Sequence, residues 1–271
     1  MTIGMTGRNE AAGARAQYEA DGFYLAQWPL FPAELVERAA AGLEAVRAGE
    51  YDTGRAPQPS PWKPGDDPNT LCKIEQPQFA SRALRDLLRC PALGEMAAAL
   101  TGARRVQAWW VQGLVKPSLP RGVSGGTNVG WHQDRHYWNI WDEGSELFTA
   151  WIALSDVREE SGAMRFVPGS HRWGLMPHND FFAQELAAQR EAMRAPNGAE
   201  WRETAAVLPP GGVSFHDDFT LHASGPNVSD APRRSLAVHL RTERSRPVGD
   251  ARTGLTQFID DLDLCPVIYG V

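Results

Sequence analysis

A chain of 271 residues with 42 % apolar and 22 % charged residues is long enough for one sizeable core and has an ordinary globular composition. A net charge of −6, with no basic stripe, argues against nucleic acid as the main partner. No apolar run approaches the roughly 18 residues of a membrane span, and the start of the chain lacks an apolar signal core, so a cytoplasmic protein is expected.

Helical pattern comes first. After a frayed start, Ala11 to Ala20 predicts a short helix ended by Asp21-Gly22, and Phe23 to Ala26 a strand. Pro32-Ala33-Glu34-Leu35 opens a stronger helix to about Arg47, with Leu35, Ala39, Leu43 and Val46 on one face. Tyr51 to Asn69, rich in Pro, Gly and Asp, predicts a long loop of the kind that serves as a lid. Ser81 to Leu100 is amphipathic, interrupted near Pro91 and closed by Thr101-Gly102.

From Val106 the texture changes to strands. Val106 to Lys116, Phe148 to Ser155, Ala163 to Val167, Ala205 to Val207, Gly212 to His216 and Ser235 to Arg241 are the candidates. Pro117 to Gly130 predicts a loop, and Phe181 to Met193 a helical insertion over the sheet. Helices followed by strands suggest an α+β protein with a β-sandwich or jelly-roll core about 106–241, a helical part about 11–102 and a C-terminal tail, all in one domain over 1–271. Cys72, Cys90 and Cys265 match no disulfide framework and no zinc spacing.

Chemistry concentrates in Trp131-His132-Gln133-Asp134. On a strand, residues i and i+2 share a face, so His132 and Asp134 can reach one metal ion. His222, much later in the chain, supplies a third donor. Two histidines and a carboxylate on one side of an iron leave positions open for co-substrate and dioxygen. Arg233 lies 11 residues beyond His222, past the turn Gly225-Pro226-Asn227, where its fork can meet the far carboxylate of a dicarboxylic co-substrate. A second His-x-Asp, His216-Asp217-Asp218, lacks a distant partner and is expected to shape the turn before His222. His171 is expected to hold a turn, and His239 to be a satisfied core residue.

Together with these motifs, Ala150-Trp151-Ile152-Ala153-Leu154, the run from Glu160-Ser161-Gly162 to Gly169-Ser170-His171, and Pro232-Arg233-Arg234 resemble the phytanoyl-CoA dioxygenase family of Fe(II)/2-oxoglutarate-dependent oxygenases. The resemblance covers roughly 73–240. It implies a double-stranded β-helix (cupin-like) with N-terminal helices packed outside, Fe(II) and O2 as cofactors, and 2-oxoglutarate as co-substrate. It implies His132, Asp134 and His222 as iron ligands and Arg233 as the clamp on the far carboxylate. Ser224, Trp151, Lys73 and Gln112 would lie near the co-substrate. Read from the sequence itself, the residues after the motif, His136, Tyr137 and Trp138, either touch substrate or simply pack and hydrogen-bond. The presence of Asp134 points to hydroxylation, or to cyclisation, epimerisation or desaturation by the same hydrogen-atom abstraction, and not to halogenation. The tryptophans around the motif favour a cyclic or hydrophobic small metabolite, as in natural-product tailoring. Two rivals predict otherwise. A non-catalytic metal- or ligand-binding jelly roll would bind iron without forming succinate, and a 2-oxoglutarate-independent cupin-type metalloenzyme would have no use for Arg233. Oligomeric state leaves no mark in the sequence.

Overall fold

The computed structural model describes residues 5–120, 126–250 and 252–270. In chain order come α1 (Met5–Asp21), β1 (Phe23–Ala26), α2 (Ala33–Ala48), β2 (Cys72–Glu75), α3 (Arg82–Leu88), α4 (Pro91–Thr101), β3 (Val106–Lys116), β4 (Val129–His132), β5 (Leu147–Ala153), β6 (Met164–Phe166), α5 (Leu186–Met193), β7 (Thr204–Ala205), β8 (Val213–Asp217), β9 (His222–Ser224), β10 (Arg233–Thr242) and β11 (Val267–Tyr269). The α+β order is as expected. Helix α1 starts at Met5, inside the stretch expected to fray, and β2 is a strand that the sequence did not announce.

All pairing described is antiparallel. A large sheet runs β1-β8-β5-β10-β3-β11, with β2 also on β3, and a small sheet runs β4-β9-β6-β7. Strict alternation sorts the large sheet's side chains. Val111, Val115, Leu236, Val238, Ala150, Ile152, Val213 and Phe215 pack on the helices with Ala39, Leu43, Val46, Leu84 and Leu93. Helix α2 therefore buries Val36, Ala39, Leu43 and Val46; Leu35 is only partly covered. The opposite face of the large sheet meets the small sheet, where Leu114, Trp151 and Ala237 pack with Met164 and Phe166. Polar residues of the same face surround a cavity between the sheets.

A bulge between His239 and Leu240 pairs those residues with Trp110 and Ala108, so Trp109 is the extra residue of β3. It turns Trp109 into a cluster with Trp138 and Trp141, at ring separations of 5.0 and 5.2 Å. The helix expected over 181–193 is shorter, because the backbone at Asp180 and Phe181 bonds to Trp131 and Gly130 of β4 instead.

Candidate active site

Asp134 is not on the strand that carries His132. Strand β4 ends at His132, and Asp134 opens a 3-10 turn through Tyr137. The i, i+2 spacing still works, because Gln133 is extended. Its buried side chain donates to the carbonyls of Gly174 and Phe219 and accepts from the Met176 N–H, which anchors the turn. His222 starts β9 directly opposite His132 in the ladder. The ligand atoms of His132, Asp134 and His222 all lie within 4.8 Å of one another, and all three side chains are buried.

Each histidine is oriented from behind. His132 Nδ1 lies 2.8 Å from the Gly130 carbonyl, and His222 Nδ1 lies 2.9 Å from the Thr220 carbonyl. A carbonyl only accepts, so both rings carry the proton on Nδ1 and leave Nε2 as a lone pair. Both Nε2 atoms face Asp134 Oδ1, at 3.7 and 3.9 Å. Burial pushes both imidazoles below their ordinary range, so they are neutral and ready to ligate near neutral pH. Burial on its own would raise the Asp134 carboxyl. His216 at its outer oxygen, with His222 and His239 nearby, outweighs that and holds it well below the usual carboxylate range.

Three neighbours of this cluster were not anticipated as such. Thr149 Oγ1 donates to Asp134 Oδ2 at 2.7 Å. A hydroxyl has one proton, so His239 Nδ1, 2.8 Å from the same oxygen, is the donor of the second bond. His239 thus lines the cavity as well as the core. His216 Nε2 lies 3.4 Å from Asp134 Oδ2. The carboxylates after His216 turn away: Asp217 accepts from the Phe219 N–H, as expected of a turn former, and Asp218 faces Arg135 at 3.7 Å.

The cavity holds about 410 Å³. Arg233 lines it, 2 % exposed, with its guanidinium 5.2 Å from the centre of the Trp151 ring and one N–H donated to the Gly162 carbonyl. Gly162 stands at φ 70, a conformation that suits glycine, which gives the Glu160-Ser161-Gly162 turn a part in aiming Arg233. No carboxylate pairs with Arg233 among the described residues, and its Nε is buried without a partner. The neighbouring Arg234 is taken by Glu44 at 2.5 Å, so Arg233 is the free fork.

Ser224, Trp151, Gln112 and Lys73 all line the same cavity. Along the β10–β3 ladder His239 pairs with Trp110, Ala237 with Gln112 and Arg233 with Lys116. Gln112 therefore lies between the histidine cluster and the clamp, as does Leu114, the partner of Lys73. Lys73 pairs with Glu75 at 3.2 Å and lies 4.5 Å from the centre of the Phe181 ring. Tyr137 and Trp138 line the cavity; His136 is exposed and packs on Tyr137 outside it. Three segments border the cavity: 51–69 contributes Pro59, 174–200 contributes Phe181 and Phe182, and 117–129, part of which lies outside the described residues, contributes Val129.

Three donor side chains that could hold a metal ion and a buried arginine without a carboxylate partner face one cavity between two antiparallel sheets, the arrangement of an Fe(II)- and 2-oxoglutarate-dependent oxygenase, a class that uses dioxygen. The chain belongs to the phytanoyl-CoA dioxygenase (PhyH) family, whose sequence model matches residues 18–235. It is 28 % identical over 184 residues to the probable alpha-ketoglutarate-dependent hypophosphite dioxygenase of Stutzerimonas stutzeri, covering 65 % of this chain and 59 % of that one. It is 27 % identical over 231 residues to the ectoine dioxygenase of Bordetella parapertussis, covering 81 % and 71 %. Among solved structures, the alpha-ketoglutarate-dependent carbocyclase SnoK from nogalamycin biosynthesis is 25 % identical with a TM-score of 0.67, covering 94 % of this chain and 95 % of that one. The epimerase SnoN of the same biosynthesis, 22 % identical at a TM-score of 0.67 over 89 % of this chain and 87 % of that one, shares the fold. No helix among the described residues is long and apolar enough to cross a membrane.

Proposed function

We propose that the protein oxidises a C–H bond of a small, largely apolar organic metabolite, by hydroxylation or by cyclisation, epimerisation or desaturation, as a tailoring enzyme. The whole chain would act as one domain with a double-stranded β-helix at its centre. The observation that carries this is the sharing of one cavity by three elements: the His132-Asp134-His222 cluster, the unpaired cation of Arg233, and an aromatic wall of Trp110, Trp138, Phe181 and Phe182.

The donor set fits iron, since two neutral imidazoles and one carboxylate are its facial triad. Bound there, the metal with 2-oxoglutarate and dioxygen supplies the oxidising power that removes a hydrogen atom from substrate, with succinate and carbon dioxide released. Arg233, stiffened on Trp151, holds the far carboxylate of the co-substrate, and Ser224, Gln112 and Lys73 flank its length. Thr149 donates to Asp134 Oδ2, with His216 at 3.4 Å, which would leave Oδ1 for the metal. Tyr137 accepts from the Phe181 N–H and so ties the segment over the cavity to the turn that carries Asp134. Phe181 packs 5.2 Å from the His132 ring and excludes water from that side. The likeness to SnoK, a carbocyclase of nogalamycin biosynthesis, supports a tailoring role.

The test is a screen of polar and polycyclic metabolites with Fe(II), 2-oxoglutarate and oxygen, read by mass spectrometry. A product that gains one oxygen, loses two hydrogens or is an isomer resolved from the substrate by chromatography, formed together with succinate, supports the reading. Stimulation by small polar compounds alone would overturn the apolar substrate class.

A further inference from the structure

Lys116 ends β3 as one of the largest fully buried side chains, at 0 % exposure. A buried ammonium needs compensation, yet no carboxylate pairs with it among the described residues. Its Nζ meets three oxygens: Ser224 Oγ at 2.7 Å, the Gly225 carbonyl at 2.5 Å and the Ser224 carbonyl at 3.3 Å. An ammonium has three protons and no lone pair. Both carbonyls can only accept, so a protonated Lys116 donates to all three oxygens; Ser224 Oγ then accepts from it, and the hydroxyl's own proton is left for another acceptor. Among the described residues none takes it. Ser224 lines the cavity with Arg233, whereas Lys116 does not reach the cavity wall.

Lys116 is also the direct partner of Arg233 in the β10–β3 ladder. Two buried basic side chains thus sit side by side at the Arg233 end of the cavity. Burial pushes the Lys116 ammonium well below its ordinary range, and Arg233 pushes it further. A bound anion at that end offsets both effects and favours the charged form of Lys116 on which the Ser224 bond direction depends.

We propose that Lys116 is a positioning residue for the co-substrate: it fixes Ser224 as a hydrogen-bond donor, so that the Ser224 O–H and the Arg233 guanidinium together bind the far carboxylate of 2-oxoglutarate. The inference rests on the co-substrate reading above and adds to it the group that sets the direction of the Ser224 bond. It also gives the Lys116-Pro117 step a purpose beyond ending a strand.

The test is anaerobic titration of Fe(II)-loaded protein with 2-oxoglutarate, and separately with 2-oxopentanoate, which keeps the chelating end and lacks the far carboxylate. Binding is read from the visible charge-transfer band of the chelate. A wild type that gives no band with 2-oxoglutarate refutes the co-substrate reading itself, whatever Lys116 does. With that band present, Lys116→Met is expected to weaken 2-oxoglutarate at least about tenfold, the scale of a charge-assisted hydrogen bond, and to leave 2-oxopentanoate nearly unchanged. The double variant with Ser224→Ala is expected to bind no more weakly than Ser224→Ala alone, since both act through one bond. Unchanged 2-oxoglutarate affinity, equal weakening of both keto acids, or penalties that add would each overturn the proposal. If Lys116→Met does not fold, Lys116→Gln keeps one donor for Ser224 and carries the same comparison, with an intermediate loss expected for 2-oxoglutarate alone.

Discussion

Thr149 of β5 and Asp134 of the 3-10 turn after β4 meet at 2.7 Å, and that single bond divides the labour of the Asp134 carboxylate. Oδ2 is held by Thr149, with His216 at 3.4 Å, while Oδ1 faces the Nε2 atoms of His132 and His222. Outer partners of this kind are worth about 10–100-fold in metal affinity. Thr149→Val keeps the volume and removes the donor. It is expected to lower Fe(II) affinity by about that factor in an anaerobic metal titration, with the fold retained by circular dichroism. Metal affinity equal to wild type would mean that Thr149 merely packs.

Arg233 should not tolerate lysine. Its guanidinium stacks on Trp151 and offers a fork, and neither property survives in an ammonium. Arg233→Lys is expected to raise the KM for 2-oxoglutarate by about 10–100-fold, the worth of a charge-assisted bond. Turnover at saturating co-substrate should fall much less, because the lost contact is made equally in ground and transition states. Parallel kinetics with both keto acids check this.

Gly130 lets the covering segment lie against β4. A Cβ there would come within 2.1 Å of the Asp180 carbonyl oxygen and 2.8 Å of the Ala183 Cβ. The Gly130 N–H donates to the Phe181 carbonyl at 2.9 Å. Gly130→Ala is therefore expected to push the Asp180–Ala183 backbone off the strand and carry Phe181 away from His132. Limited proteolysis should cut the segment 174–200 faster in the variant, and succinate formation should be less tightly coupled to product. Identical proteolysis would show that the segment is held elsewhere.

Asp217 gives stability a defined pH slope. Burial raises its carboxyl from 3.8 to about 6. The folded form thus binds a proton that the unfolded form has already released, and the associated stability is present below about pH 4 and lost as pH rises through 6. Asn cannot titrate and keeps the oxygen that accepts from the Phe219 N–H. The melting temperature of Asp217→Asn relative to wild type is therefore expected to be higher at pH 7 than at pH 4, by the equivalent of roughly 2–3 kcal/mol. The opposite trend would mean that Asp217 is stabilised as a carboxylate. His239, lowered by burial to about 4, acts in the reverse sense and is common to both proteins in this comparison.

The sequence carried the clustering of His132, Asp134 and His222 plainly, because a His-x-Asp spacing and a later histidine are local marks. It carried β3 to the residue, since Val106 to Lys116 is one apolar run with a clear turn after it. Strand β2 was hidden: Cys72-Lys73-Ile74-Glu75 is short, half polar and preceded by a long loop, and only pairing with β3 makes it a strand. Thr149, His216 and Lys116 were hidden for a different reason. Their roles come from register between strands far apart in the chain, such as Thr149 opposite His239 and Lys116 opposite Arg233. One inference was open to the sequence. Trp151 was singled out, and Thr149 stands two residues earlier on the same strand, hence on the same face. The expected strand position of Asp134 failed for a local cause, the 3-10 turn that starts at that residue.

The central claim is that this triad and this arginine turn over 2-oxoglutarate with oxygen. The most direct measurement is succinate released from 2-oxoglutarate by Fe(II)-loaded protein, with and without oxygen, for wild type and Asp134→Ala. The account predicts oxygen-dependent succinate from wild type, even without the true substrate at a slow uncoupled rate, and none from Asp134→Ala. Equal succinate from both proteins, or from neither while both bind iron, would contradict it.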